Sequence, residues 1–314
     1  MLVPVTSTSG RLMLLDSASM YFRAFHGVPD SVRAPDGTPV NAVRGFLDMT
    51  ATLLRGHPAT RLVACWDEDW RPAFRVALVP TYKLHRLAQG TDPAANVEET
   101  PDLLEPQVEV IAAVLAALGI ARVGSPGFEA DDVIGTLATQ DAGPVDVVSG
   151  DRDLVQLVDD SRGVRVLYIG RGVAKLEVLD EAAVQAKYAI PGRGYADLAA
   201  LRGDASDGLP GVPGIGAKTA ADLVRRWGSV EAVLAALDAG DPALTQRPKL
   251  QVARDYLEAA IRVTRVRTDC PLAAYDDRLP VDPADPETLV ELCERWGLDS
   301  SVNRVLVALR AAAG

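Results

Sequence analysis

Cysteine is scarce in this sequence, and its placement excludes two common kinds of covalent framework. The 314 residues include three cysteines, Cys65, Cys270 and Cys293, which lie far apart and form no Cys-x-x-Cys pair. An odd and scattered set suits neither a disulfide framework nor a zinc site. We therefore expect free thiols and a protein of the reducing cytoplasm.

The sequence also lacks a hydrophobic run long enough for a membrane span. Its longest apolar run, at 110–120, is well short of the ~20 residues that a spanning helix needs. The first ten residues have neither a positive region nor an apolar core, so we expect no secretory signal. The length allows one large domain, or a large domain with a smaller one attached.

Positive charge is in the minority, because the formal net charge is −11. Nucleic-acid binding usually leaves a basic surface, so the total argues against it. The distribution is uneven, however: residues 70–90 carry four basic and no acidic side chains, and residues 91–110 carry six acidic and no basic ones. The acidity therefore permits a nucleic-acid enzyme, provided that bound cations neutralise the carboxylates locally, but it does not favour one.

Short apolar runs alternate with helical patterns in the first half of the chain. The runs at 12–16, 62–67, 145–150 and 164–169 predict strands, and the spacing at 40–55, 103–118 and 131–139 predicts helices. This alternation indicates an α/β domain around a mostly parallel sheet. After about residue 180 the strand signal disappears, and we expect only helices, at 181–188, 195–202, 217–227, 230–237, 250–263, 286–296 and 301–313.

Carboxylates follow the predicted strands and open one predicted helix. In such sheets ligands bind beyond the carboxyl ends of the strands. Crowded, ionised carboxylates are unstable unless they share protons or bind cations, and oxygen ligands without His or Cys select Mg²⁺ or Mn²⁺. Each acid alone also has a plain structural reading as a helix cap or turn residue. The set comprises Asp16, Asp67, Glu129, Asp131, Asp132, Asp151, Asp153, Asp204 and Asp207.

A glycine-rich turn lies between two predicted helices of the second half. Residues 211–220 read Gly-Val-Pro-Gly-Ile-Gly-Ala-Lys-Thr-Ala. Gly211, Gly214 and Gly216 permit left-handed backbone or close approach, and the helix that opens near Gly216 presents unpaired amides suited to a phosphate. Lys218 adds a positive charge there. Taken by itself, the segment fits an ordinary loop between two helices equally well.

Taken whole, residues 203–220 resemble the helix–three-turn–helix motif of the bacterial 5′-3′ exonuclease and flap endonuclease family, which includes the 5′-nuclease domain of bacterial DNA polymerase I. Other motifs resemble the family's in the same order: Leu-Leu-Asp-Ser at 14–17, Tyr-Lys at 82–83 with Arg86, Phe-Glu-Ala-Asp-Asp at 128–132, and Ser-Gly-Asp-Arg-Asp at 149–153. The resemblance covers roughly residues 11–270.

The resemblance implies a PIN-like α/β nuclease core at 1–178, with a helical arch at about 70–105. It implies an all-helical DNA-binding domain at 179–314, with the helix–three-turn–helix at about 195–227. Five acids (Asp16, Asp67, Glu129, Asp131 and Asp132) would serve a first divalent ion, and four (Asp151, Asp153, Asp204 and Asp207) a second. Backbone carbonyls of Gly211, Val212, Gly214 and Gly216 would bind K⁺.

The expected reaction is hydrolysis of DNA phosphodiester bonds at 5′ ends, flaps or nicks, leaving a 5′-phosphate and a 3′-hydroxyl. Lys83 and Arg86 would offset charge on the phosphate. Arg23 is predicted to bind phosphate or else to form a structural ion pair, and Tyr82 to stack on a base or else to pack in the core. Further predicted DNA contacts are Arg71 and Arg75, or else a solvated helix face, with Lys218 and Thr219 in the hairpin.

The sequence departs from the family pattern at three places: Gly208-Leu209 replaces the usual Asn-Ile, Trp66 replaces Phe, and Arg44 replaces a common aromatic residue. These departures leave open a structure-specific DNA-binding protein that does not cut, and a PIN-type ribonuclease is a second alternative. No polymerase or proofreading segment follows, so we expect a stand-alone enzyme. It is predicted to be a cytoplasmic monomer with no membrane partner.

Overall fold

The computed structural model describes residues 10–90, 92 and 95–313. The prediction that the first ten residues contain no secretory signal therefore lies almost wholly outside the described residues. Among the described residues, no helix is both long and apolar enough to cross a membrane.

A six-stranded sheet forms the centre of the first half, in the order β3-β2-β1-β4-β5-β6. Neighbouring strands are parallel except for β5 and β6, which are antiparallel. The strands are β1 (Leu12–Asp16), β2 (Arg61–Cys65), β3 (Ala121–Val123), β4 (Val145–Ser149), β5 (Val164–Tyr168) and β6 (Glu177–Leu179). The four predicted strands are confirmed, and the three-residue strands β3 and β6 were not predicted.

Helices cover both faces of this sheet, and the alternating side chains of β1 enter two separate cores. Leu12 and Leu14 belong to one core, and Met13 and Leu15 to the other, because successive residues of a strand point to opposite faces. The helices of the first half are α1 (Ser17–Gly27), α2 (Asn41–Gly56), α3 (Ala73–Leu78), α4 (Glu105–Leu118) and α5 (Ala130–Gln140).

The second half is helical, as predicted. Its helices are α6 (Glu181–Tyr188), α7 (Tyr195–Arg202), α8 (Ala217–Trp227), α9 (Val230–Asp238), α10 (Arg247–Val252), α11 (Arg254–Thr264), α12 (Pro286–Trp296) and α13 (Asp299–Ala313). The helix predicted at 250–263 is two helices that meet at Ala253. Helices α7 to α11 share a core with α5 and one face of the sheet.

The last two helices return to the first half of the chain, which differs from the predicted division at residue 178. Leu298, Val305 and Leu309 pack in the same core as Phe46 of α2. On the way, the backbone passes beside the start of β2, where the amide of Leu62 donates to Asp277 O at 2.7 Å. Residues 279–313 therefore support the sheet domain and are not part of the hairpin-containing helical unit, because their apolar side chains face α2 and α4.

The predicted arch is mostly irregular where the structure describes it. Besides the six residues of α3, it contains a short 3-10 helix at Leu84–Arg86. A small antiparallel pairing joins its two sides, with the amide of Glu99 donating to Arg86 O at 2.7 Å. This pairing fixes Lys83 and Arg86 above one edge of the sheet.

Candidate active site

Three parallel strands deliver an aspartate to the same edge of the sheet. Asp16 is the last residue of β1, Asp67 comes two residues after β2, and Asp151 two residues after β4. Glu129 and Asp131, at the start of α5, complete the acidic wall of a cleft of about 520 Å³. Side chains from distant parts of the sequence thus converge in one place.

Asp16 is the most deeply embedded of these acids. Its side chain caps α1 by accepting from the amide of Ser19 at 3.0 Å, and it also accepts from the Ser149 hydroxyl at 2.5 Å. Burial raises the pKa of Asp16 to about 7; the two hydrogen bonds lower it in part, and repulsion from Asp67 raises it. The structural role as a helix cap and a place in the acidic cleft therefore coexist in one residue.

Glu129 is held by a group of buried donors. It accepts from Arg75 at 2.6 Å and from the Tyr82 hydroxyl at 2.8 Å, and it forms an ion pair with Lys83. Burial lowers the pKa of Lys83, but the charge of Glu129 more than offsets this and holds it well above its usual value. Lys83 is therefore a charged ammonium at the wall of the cleft.

Asp131 and Asp132 are adjacent in sequence and differ completely in environment. Asp131 lines the cleft, and burial together with repulsion from Asp151 and Asp16 raises its pKa well above the usual value. Asp132 points away from the cleft and is wholly buried; Arg75 donates to both of its oxygens, at 2.6 and 2.7 Å. The prediction that Asp132 binds a metal is corrected here, because its carboxylate does not line the cleft and is wholly buried against Arg75.

A second acidic group lies beside the first, and Asp151 belongs to both. Burial raises the pKa of Asp153 well above its usual value, with repulsion from Asp151, Asp207 and Asp204 adding to it. Burial also raises the pKa of Asp207 to about 6. The loop after α7 thus brings two aspartates of the helical half, Asp204 and Asp207, close enough to repel Asp153.

The acids surround the cleft without closing around a single point. In the residues that the structure describes, no three acidic, histidine or cysteine side chains are close enough together to enclose one ion. Mg²⁺ tolerates such an arrangement, because it usually keeps several water ligands and takes only one or two carboxylates directly. The donor set therefore fits hydrated divalent ions and excludes a tightly caged one.

The basic residues predicted to contact DNA fall into two classes. Lys83 and Arg86 line the cleft, and Arg86 donates to Ser206 O at 3.0 Å and lies 3.7 Å from Asp207. Arg75 is instead buried against Glu129 and Asp132, and Arg71 is buried with its guanidinium bound to the carbonyls of Tyr82 and Pro80. The predicted DNA contacts of Arg71 and Arg75 are therefore wrong, because neither side chain reaches solvent.

Tyr82 is likewise a packing residue. Its ring is 3% exposed and its hydroxyl is bound to Glu129. Stacking on a base is excluded by this burial, and the alternative of a packed aromatic is the correct one.

Arg23 lies beside the cleft with unused hydrogen-bonding capacity. Its buried Nε has no hydrogen-bond partner in the described part of the chain. A Cβ added at Gly150, which lines the cleft, would lie 3.1 Å from a terminal nitrogen of Arg23. No structural ion pair holds the guanidinium among the described residues, so it is available to an anion.

The hairpin begins with a turn that only glycine can occupy. Gly211 has φ +70°, and a Cβ there would lie 2.4 Å from Arg202 O. Val212 and Ile215 are buried and anchor the turn. Gly216 then precedes α8 without a side-chain cap, leaving the first amides of the helix, up to Thr219, free beside the exposed Lys218.

Two acids of the arch were missed as residues of the cleft. Glu98 and Glu99 line it, together with His85, and burial raises the pKa of Glu98. The acidic run at 91–110 was visible in the sequence. Nothing in its spacing distinguishes the two acids that turn inward from those that face solvent.

Comparison with known proteins decides between the families that such a cleft could serve. A family model described as the N-terminal resolvase-like domain of 5′-3′ exonucleases matches residues 11–189. A second, the C-terminal SAM fold of 5′-3′ exonucleases, matches residues 190–287. The chain belongs to the 5′-3′ exonuclease family. The predicted family is thereby confirmed, and with it the class of enzyme, a nuclease.

Curated relatives in this exonuclease family span nearly the whole chain. A 5′-3′ exonuclease of Streptomyces coelicolor is 57% identical over 301 residues, which are 95% of this chain and 100% of that protein. One of Mycobacterium tuberculosis is 52% identical over 314 residues, covering 96% and 99%. DNA polymerase I of Mycobacterium bovis is 40% identical over 311 residues, covering 96% of this chain and 32% of the polymerase.

The fold is also that of solved flap nucleases. The D15 flap endonuclease of bacteriophage T5, in a pseudo-enzyme-product complex with DNA and metal ions, matches with a TM-score of 0.59 at 17% identity, covering 96% of this chain and 99% of that one. At this identity the likeness shows the fold alone. The predicted PIN-like core with a helical second part is confirmed.

The structure explains the exonuclease's departures from its family pattern. Gly208 has φ +70°, and a Cβ there would lie 2.1 Å from Thr81 O, so the loop after α7 packs directly on the base of the arch. Trp66 is 8% exposed and packs beside Tyr21 at 5.9 Å between ring centroids. Arg44 donates to Gly297 O and so ties α2 to the end of α12.

Proposed function

We propose that this exonuclease hydrolyses DNA phosphodiester bonds at 5′ ends, flaps and nicks, using two divalent ions, Mg²⁺ or Mn²⁺, in the acidic cleft. One observation carries the proposal: buried and half-buried acids converge there, and some of them lack a cationic side-chain partner. Asp131 and Asp153, whose pKa values are both raised, form no ion pair among the described residues. Divalent cations relieve this crowding, and the DNA and metal ions in the T5 complex are consistent with it.

The donors divide into two sets around Asp151. Asp16, Asp67, Glu129 and Asp131 would hold the first ion, and Asp151, Asp153, Asp204 and Asp207 the second. When bound, such a pair of ions activates water and stabilises charge on the scissile phosphate and the leaving oxygen. Asp132 is a positioning residue, because it fixes Arg75, which in turn holds Glu129.

The chain's own cations would orient the substrate for this reaction. Lys83 and Arg86 would offset negative charge on the scissile phosphate, and Arg23, whose Nε is unpartnered, would bind a neighbouring phosphate. The products would be a 5′-phosphate and a 3′-hydroxyl.

The helical half would hold the duplex next to the cleft. The free amides at the start of α8 and the exposed Lys218 are suited to a backbone phosphate. Such contacts read no base sequence, so the enzyme would recognise the shape of the DNA. We further propose that it works as a monomer in the cytoplasm; the unpaired, buried cysteines Cys65, Cys270 and Cys293 are consistent with a reducing compartment.

Cleavage of a labelled flap tests the proposal directly. A DNA flap and its RNA counterpart, each labelled at the 5′ end, are incubated with Mg²⁺ and with EDTA. We expect cleavage of the DNA flap alone, and only with Mg²⁺. Asp153→Asn should abolish cleavage but keep flap binding in EDTA, whereas Asp282→Asn, at an exposed site 3.4 Å from Arg310, should match the wild type.

The other outcomes identify the alternatives. Tight flap binding without cleavage by the wild type would mean a DNA-binding protein that has lost its activity. Preferential cleavage of RNA would mean a ribonuclease. Undiminished cleavage by Asp153→Asn would contradict the assignment of the second ion.

A further inference from the structure

Three of the four carbonyls expected to bind potassium already accept hydrogen bonds within the protein. Val212 O accepts from the amide of Ile215 at 2.9 Å, and Gly216 O accepts from the amide of Ala220 at 3.0 Å. Gly214 O accepts from the Lys249 ammonium at 2.8 Å. A potassium ion bound at the Gly214 carbonyl would lie beside this ammonium and be repelled by it, so the donor set as it stands is unfavourable for potassium.

Lys249 is placed across the turn by two features of the fold. It lies in α10, and the next residue, Leu250, is buried in the core and anchors the helix. Gly214, with φ +76°, leaves the necessary room, because a Cβ there would lie 3.0 Å from the Lys249 nitrogen and 3.2 Å from its neighbouring carbon. The glycine therefore both makes the turn and admits the lysine.

A lysine is well suited to bind a carbonyl and a phosphate at the same time. The sequence has five lysines among its 32 basic residues, and two of the five, Lys218 and Lys249, belong to this region. An ammonium is a compact point charge with three donors, so it can bind a carbonyl and still face an anion, whereas a guanidinium is a wide planar fork. Here the ammonium binds the carbonyl of Gly214, three residues before α8, whose first amides have no side-chain cap.

We propose that Lys249 is a built-in monovalent cation of the hairpin, which binds a DNA backbone phosphate together with the amides of α8. DNA binding by this exonuclease is then independent of potassium. The inference rests on the proposed function in one respect, namely that the hairpin binds duplex DNA. It adds a DNA-contacting residue that no hairpin motif contains, 35 residues after the turn.

Binding in EDTA, where no cleavage occurs, tests this. The Kd for a fluorescent flap duplex is measured by anisotropy in KCl, NaCl and tetramethylammonium chloride at equal ionic strength. We expect the wild type to give the same Kd within about twofold in all three salts. Lys249→Met should weaken binding by roughly tenfold in tetramethylammonium and reduce the slope of log K against log salt by about one. KCl should restore part of the loss, because the Gly214 carbonyl is then open.

Lys175→Met is the matched control. It removes the same charge from an exposed site in the 3-10 helix at Val173–Lys175 of the sheet domain and should leave Kd and the salt slope unchanged. Lys249 is exposed, so its replacement should not alter the melting temperature, which is measured alongside. If Lys249→Met does not fold, the wild-type comparison of salts decides by itself.

Two results would overturn the inference: a wild type that binds at least tenfold more weakly without potassium, or a folded Lys249→Met that binds like the wild type in all salts. A wild type that binds the flap in no salt would refute hairpin binding, and with it the proposed function.

Discussion

At the scale of single residues, the adjacent acids Asp131 and Asp132 provide a sharp test of the cleft. Asp131→Asn should reduce cleavage on the order of 100-fold or more and leave the free energy of unfolding unchanged or higher, because it removes a half-buried carboxylate that neighbouring aspartates repel. Asp132→Asn should lower the free energy of unfolding by about 3 kcal/mol, because it leaves the Arg75 guanidinium buried with one charge unmatched.

Urea unfolding in EDTA and flap cleavage in Mg²⁺ measure the two effects separately. The result that would contradict this division is a destabilised Asp131→Asn together with a stable, inactive Asp132→Asn. That pattern would return Asp132 to the metal site.

Gly208 is a second residue whose role can be isolated. Gly208→Ala should destabilise the fold in two ways. The left-handed backbone costs an alanine about 1 kcal/mol, and the new Cβ would lie 2.1 Å from Thr81 O, a clash that only a shift of the arch base can relieve. Because Lys83 donates its amide to Asp207 O at 2.9 Å, this shift should move both residues. We expect cleavage to fall much more than flap binding in EDTA.

Gly172→Ala provides the matched control, since Gly172 has φ +86° but open space around its Cβ position. It should lose stability in thermal melts through its backbone conformation alone and should keep full cleavage. Equal activity of the two variants would mean that the arch base does not position Lys83.

The sequence allowed the acids of the cleft to be predicted but misplaced the basic residues around them. Asp16, Asp67 and Asp151 follow apolar strands, and parallel strands bring their carboxyl ends to one edge. No comparable rule predicts which way the basic side chains of residues 70–90 point. Arg71 turns inward onto carbonyls of its own segment, and Arg75 turns inward onto carboxylates at the start of α5. No sequence pattern marks either set of partners.

At the scale of helices and strands, long apolar patterns in the sequence predicted the elements correctly, whereas short patterns did not reveal them. The five-residue strands could be predicted from their apolar runs. Strands β3 and β6 have three residues each and are defined by pairing with the neighbouring strands. Helix periodicity predicted α12 and α13 but not where they pack. Their apolar faces match either half of the molecule equally well, and the route of residues 277–279 beside β2 selects the sheet domain.

The packing of α13 on α2 leads to a prediction about stability. Leu298→Ala, at a fully buried position before α13, should lower the free energy of unfolding by about 2–5 kcal/mol. Val307→Ala, on α13 itself but 54% exposed, should change it by less than about 0.5 kcal/mol. Hydrogen exchange should show the loss of protection in α2 as well as in α13. Loss confined to α8–α11 would place the last helices with the hairpin unit instead.

At the scale of the whole molecule, negative charge is concentrated where it destabilises the metal-free fold. Burial and repulsion raise the pKa of Asp16 to about 7, and of Asp67 and Asp207 to about 6. A carboxyl with a raised folded-state pKa ionises more easily in the unfolded chain. The stability that each of these carboxyls contributes is therefore greatest below pH about 4 and is lost as the pH rises through the folded-state value. His57 opposes this trend, because burial lowers its pKa and its contribution improves with rising pH.

Melting curves across pH, with and without metal, measure this balance. In EDTA the melting temperature should fall between about pH 5 and pH 8, because several raised carboxyls outweigh one histidine. Asp16→Asn should flatten the slope, and His57→Gln should steepen it. The stabilisation by Mg²⁺ should grow over the same interval, because the ion binds the ionised acids and releases their protons. A melting temperature in EDTA that rises toward pH 8, with Mg²⁺ stabilising equally at both ends, would show that these acids share no cation site. The cleft would then owe its carboxylates to structure alone.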